Sequence, residues 1–169
     1  QLGYDTTYRV VPYGPIDFFF LDTATPLMTG ERSGEQRAWL EQALADSEAR
    51  WKVAVMHHAP YASSPKRGSY TEIRDIVHPL FVEHGVQLVL TGHDHMYERT
   101  HPQDGVTYVV TGAGAKLSDI GTSEFTAVSA KVLQFMLVQI EGGLMTVQAI
   151  DVTGTAFDEV TLDVEGRQP

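Results

Sequence analysis

Two short runs, WKVAVM (51–56) and VQLVL (86–90), constrain this chain more than any other feature. Each is almost wholly apolar and too short for a stable helix, the pattern of a buried strand. Between them TEIRDIVHPLFVEHG (71–85) reads as a helix, with Thr71 as N-cap and Gly85 as its stop. Pro79 inside that segment predicts a kink or a restart. A strand–helix–strand unit requires the two strands to lie parallel in one sheet, with their C-terminal ends on the same edge. Such edges are where α/β sheets place their ligands.

The rest of the chain extends this pattern. TYRVVPYG (7–14) and IDFFFLDT (16–23) predict two strands joined by a turn at Tyr13-Gly14-Pro15. The segment 34–50 predicts a helix capped by Ser33, with Trp39, Leu40, Ala43 and Leu44 on one face. VTYVVTGAGA (106–115) is a further strand, and KLSDIGTSEFTAVSA (116–130) reads as a low-complexity connection. In the tail, VLQFMLVQIE and LMTVQAID flank the hairpin signal Gly142-Gly143, and AFDEVTL follows Thr153-Gly154. Strands alternating with helices and then strands alone predict an α/β fold: one domain over 1–169, a layered sandwich on mixed sheets that ends in an antiparallel meander.

Composition narrows the function. A formal net charge of −10 argues against a nucleic-acid-binding surface. Phosphate chemistry stays open to an acidic chain provided a metal ion inverts the local field. With no cysteine there are no disulfides, thiolate metal sites or cysteine nucleophiles. No apolar run approaches the ~20 residues of a membrane span.

The two diagnostic strands both end in histidine: His57 and His58 after the first, then His93 and His95 in TGHDHMYERT after the second. All four are predicted to converge on one sheet edge, where neutral imidazoles serve zinc, manganese or iron. A lone histidine after a strand is ordinarily a hydrogen-bonded loop residue, and on spacing alone that reading stands level with a metal site. His78, His84 and His101 read as structural, and Tyr97, Glu98 and Arg99 as a packing and ion-pair element behind the turn. Gly112 and Gly114 allow a close backbone approach.

WKVAVMHHAPYASS, GVQLVLTGHDHMYERTHP and GVTYVVTGAGA, in this order and at this separation, resemble the C-terminal half of calcineurin-like metallophosphoesterases, in the branch of purple-acid-phosphatase-like enzymes. The resemblance implies an α/β/β/α metallophosphoesterase sandwich. It further implies hydrolysis of phosphate mono- or diesters at a dinuclear centre of divalent or mixed-valence iron, zinc or manganese, where metal-activated water attacks phosphorus in line. By motif position it assigns His57 and His93 to one metal and His95 to the other, and leaves His58 as a catalytic group that faces substrate or supports the ligands, with a ligand role as the alternative. Lys66 and Arg67 occupy the loop where relatives often carry a substrate-facing histidine; they bind substrate phosphate or form a solvated loop. The family's carboxylate and asparagine ligands belong to upstream motifs that this chain does not show. Gly3-Tyr4-Asp5 does not match them, and Asp22 suits a structural place better.

The chain is therefore expected to be the C-terminal half of a longer catalytic domain, inactive alone and holding one metal ion or none. Its expected partners are a phosphate ester and the missing N-terminal half, with dimerisation or strand exchange through an exposed sheet edge. Secretion or a periplasmic location would follow from the resemblance only. The rival expectation is a non-catalytic interaction module that binds at most one metal ion.

Overall fold

The strand–helix–strand unit at the centre of the chain forms as its pattern predicts. A computed structural model describes residues 6–24 and 33–168, except the side chain of Ser33. The proposed capping by Ser33 and the Gly3-Tyr4-Asp5 comparison lie outside the described residues. In chain order the elements are β1 (Arg9–Tyr13), β2 (Ile16–Phe20), α1 (Ser33–Asp46), β3 (Trp51–Met56), α2 (Thr71–Glu83), β4 (Leu88–Thr91), β5 (Tyr97–Thr100) and β6 (Thr107–Thr111). They are followed by β7 (Thr126–Ala130), β8 (Gln134–Glu141), β9 (Leu144–Asp151) and β10 (Ala156–Leu162).

Seven strands form one mixed sheet in the order β1-β2-β3-β4-β6-β5-β7. β2, β3, β4 and β6 run parallel, and β1, β5 and β7 are antiparallel to their neighbours. The other three strands make an antiparallel sheet, β10-β9-β8. Because side chains alternate along a strand, the large sheet feeds two cores. On one face Phe19, Ala54, Met56, Val89 and Tyr108 pack against Leu40 and Leu44 of α1 and Val77 and Phe81 of α2. On the other, Trp51, Val53, Leu88 and Val109 meet Met145, Val147 and Ala149 of β9 and Val160 and Leu162 of β10. The described residues thus form three layers, α/β/β, of the expected mixed-sheet sandwich.

Local departures have physical reasons. The N-cap of α2 is Tyr70, one residue before the expected Thr71, and it makes no side-chain capping bond. The helix runs through Pro79 without a restart. The ring removes the donor to the Asp75 carbonyl, and Asp75 is exposed, where water can replace it. Gly85 ends the helix as expected, in the left-handed region at φ 66°.

The 116–130 connection contains a strand, β7, at the sheet edge. The element read as ion-pairing, 97–100, is itself the strand β5 between β6 and β7. Every residue of YERT is buried. Arg99 reaches Asp158 of β10 through two hydrogen bonds, 2.7 and 2.9 Å, and Tyr97 donates its hydroxyl to the same carboxylate at 2.5 Å. Glu98 accepts from Ser63 N–H, Ser63 Oγ and Thr126 Oγ at 2.6–2.7 Å. No helix among the described residues is long and apolar enough to cross a membrane.

Candidate metal centre

Parallel pairing in the register Met56↔Thr91 brings the ends of β3 and β4 side by side. The next residues are His57 and Gly92, tied by a bond from Gly92 N–H to the His57 carbonyl at 3.1 Å. Beyond the glycine the chain turns sharply. His93 takes φ 63°, a left-handed conformation uncommon outside glycine and characteristic of strained functional turns. That turn sets His93 Nδ1 2.9 Å from His57 Nε2. His57, His58 and His93 each offer a ring nitrogen, and the three atoms lie within 4.8 Å of one another.

The rings are held from behind. Tyr70 Oη lies 2.8 Å from His93 Nε2, and Thr23 Oγ lies 2.9 Å from His58 Nδ1. Thr23 Oγ also accepts the His58 backbone N–H at 3.1 Å. Asp22 is not part of the cluster: its carboxylate accepts the Ala24 N–H, and Gln36 bonds both of its backbone groups. Burial, then Arg67 and the neighbouring imidazoles, push His93 below its ordinary pKa; burial and then His57 do the same to His58. Both rings are therefore neutral at pH 7, with a lone pair to give.

The second shaping force is a close backbone approach. A Cβ built on Gly112, at the end of β6, would lie 2.2 Å from the Asp94 carbonyl oxygen, so only glycine lets β6 press against the turn. Gly112→Ala should destabilise the protein by about 1–3 kcal/mol, as an overpacked site does. The expected readout is a Tm several degrees lower, with a matched loss of metal affinity as the turn shifts. An unchanged Tm would show that the turn relaxes freely.

Arg67 donates from its Nη1 to the His93 carbonyl and lies 4.0 Å from Asp94 Oδ1. It lines two cavities. One, about 440 Å³, is bordered by Thr23, His58 and Tyr70. The other, about 490 Å³, is bordered by Lys66, Asp94 and His95. His95 is thus not gathered with the three histidines but faces the neighbouring cavity. Asp94 is only 2% exposed, and its Oδ2 has no hydrogen-bond partner among the described residues.

These observations fit a metal ion. A nitrogen separation of 2.9 Å is what two ligands at ~2.0–2.1 Å from one zinc would span at roughly a right angle. The Tyr70 contact on the far nitrogen of His93 is the support that metal-bound imidazoles ordinarily have. An orphaned buried carboxylate oxygen beside the cluster calls for positive charge. Tyr70 and Thr23 escaped the sequence reading, since neither carries a motif; the one cue was a tyrosine directly before the helix start. His78, bonded to Tyr108 Oη and Asp104, and His84, the C-cap of α2, are structural as expected.

Imidazoles gathered at the C-terminal edge of a mixed parallel sheet, beside a cavity and a cationic loop, form a candidate metal site in an α/β protein. The family model of calcineurin-like phosphoesterases matches residues 4–97, and the chain belongs to that family. A protein of Mycobacterium tuberculosis is 37% identical over 102 residues, covering 57% of this chain and 19% of its own length. Purple acid phosphatase 17 of Arabidopsis thaliana is 31% identical over 121 residues, covering 60% of this chain and 35% of its own. The purple acid phosphatase of yellow lupin seeds shares the fold, with a TM-score of 0.80 at 20% identity over 92% of this chain and 32% of that one. The chain therefore spans 19% to 35% of the length of the curated relatives named here.

Proposed function

We propose that this chain supplies the histidine side of a metal-dependent phosphoesterase centre that hydrolyses phosphate mono- or diesters. The reading rests on one observation: His57 Nε2 and His93 Nδ1 at 2.9 Å, presented by adjacent parallel strand ends with His58 beside them. Bound divalent or mixed-valence metal ions would supply Lewis acidity toward the phosphoryl group and activate the attacking water.

The chain's own residues have separable tasks. His57 Nε2 and His93 Nδ1 hold metal, and His95 serves a second ion from the neighbouring cavity. Tyr70 fixes the His93 ring by accepting its Nε2–H. Thr23 Oγ engages His58 Nδ1, which leaves His58 Nε2 to meet a phosphoryl oxygen or the leaving group in the first cavity. Arg67 holds the turn by its carbonyl and offers its remaining N–H groups to substrate, with Lys66 next to it. Carboxylate ligands would come from an N-terminal half, so the chain alone is read as inactive with at most one metal. Phe135, Leu137 and Leu144, exposed on the outer face of the small sheet, support a covering partner there.

The test is zinc or manganese content together with p-nitrophenyl phosphate hydrolysis, measured for this chain alone and mixed with a relative's N-terminal half. Two metals and turnover only in the mixture are expected. Metal binding by the chain with no turnover in an assembled mixture would favour a non-catalytic module instead.

A further inference from the structure

The second cavity is unlike the rest of the molecule. In a chain of net charge −10, four of its twelve lysines and arginines border this one space: Lys66, Arg67, Lys116 and Lys131. They outnumber the two carboxylates they face, and the Oδ2 of the buried Asp94 has no partner among the described residues. Asp119 is paired with Lys131 at 2.8 Å, and Asp94 is 4.0 Å from Arg67. Lys66 and Lys116 make no ion pair with any described residue, so their charge is free for a ligand. A concave, net-positive site on an acidic surface focuses field and selects for anions.

Position decides which anion. Arg67 borders both cavities and binds the carbonyl of His93, so its guanidinium stands between the histidine cluster and the lysines. A phosphoryl group held at the histidines would leave the remainder of its molecule free to extend past Arg67. We propose that the cavity of Lys66, Lys116 and Lys131 is a subsite for a second phosphoryl group, which makes the preferred substrates polyphosphates or esters carrying more than one phosphate. The proposal rests on the phosphoesterase reading for its physiological meaning, but its chemistry, capture of a polyphosphate, stands apart from turnover. Lys116 opens the segment read from sequence as a low-complexity connection and Lys131 follows directly after its strand β7; only the fold carries them to the site.

The test is calorimetric titration of the metal-stripped chain with tripolyphosphate and with orthophosphate at low ionic strength. Without metal, affinity reports the cationic cavity rather than the histidine centre. Tripolyphosphate should bind at least about tenfold tighter than orthophosphate. The double variant Lys116→Ala/Lys131→Ala should lose roughly tenfold in tripolyphosphate affinity, and its exposed lysines make loss of folding a minor concern that circular dichroism checks. Arg37→Ala/Arg167→Ala, which removes the same charge from exposed side chains that do not border the cavity, should bind as the parent does. Equal affinity for the two anions, or equal loss in both double variants, overturns the subsite. Failure of the phosphoesterase reading would appear elsewhere, as absent turnover in the metal-loaded mixture.

Discussion

Asp158→Ala is expected to lower stability by about 3–5 kcal/mol, because it strands the Arg99 guanidinium between the two sheets without a counter-charge. Arg99 and Asp158 expose only 9% and 7% of their side chains, and their fork of hydrogen bonds is the polar link from β5 to β10. Tyr97 loses its acceptor in the same change. Thermal unfolding of the variant measures the effect, and a drop below about 1 kcal/mol would mean that water or another carboxylate replaces Asp158.

The pH dependence has a definite sign. Burial pushes the Asp158 carboxyl up, but the bonds from Arg99 and Tyr97 outweigh it and hold the group below the usual carboxylate range. A depressed folded value contributes stability that is complete above the unfolded pKa, about 3.9, and is lost as pH falls through the folded one. The Tm gap between wild type and Asp158→Ala should therefore be flat from pH 5 to 8 and narrow below about pH 4.

His93→Ala is expected to weaken zinc binding by roughly 100-fold or more, and His57→Ala to match it, since each removes one of the two nitrogens that stand 2.9 Å apart. Tyr70→Phe keeps both nitrogens and removes only the support of the His93 ring, so it should cost nearer the 10-fold end of the 10–100-fold range typical of such partners. Titration against a competing chelator separates the cases. The ordering matters more than the absolute values: a Tyr70→Phe loss as large as that of His93→Ala would recast the tyrosine as a ligand. The His93 variant also relieves nothing at the backbone, because alanine inherits the left-handed φ of 63° less readily than histidine. A His93→Gly variant, which accepts that conformation, distinguishes loss of a ligand from loss of the turn.

The parallel pair β3 and β4 was legible because burial on both faces leaves a nearly continuous apolar run, and the intervening helix admits only one handedness of crossover. The hairpin at Gly142 was legible for the same local reason, a glycine that takes φ 60° between two alternating runs. β7 was not. Its sequence, TAVSA, is half-buried at the edge of the sheet and carries too little apolar contrast to stand out from its surroundings. β5 reads from sequence as a packing and ion-pair element, and Arg99 does pair with Asp158; its strand character and its partners, Ser63, Thr126 and Asp158, stay hidden because they come from 28 to 59 positions away.

The site divides along the same line. That His57, His58 and His93 would meet follows from local patterns alone: two apolar strands, one crossover helix, and a glycine that lets the chain turn. These are short-range properties of the backbone, encoded within a few residues of each histidine. Tyr70 behind His93, Thr23 behind His58, the pressure of Gly112 on the Asp94 carbonyl, and the convergence of Lys116 and Lys131 on Lys66 were decided only by tertiary structure. Each joins segments whose separation in sequence carries no periodic signal, so sheet order and loop packing alone determine which side chains become neighbours.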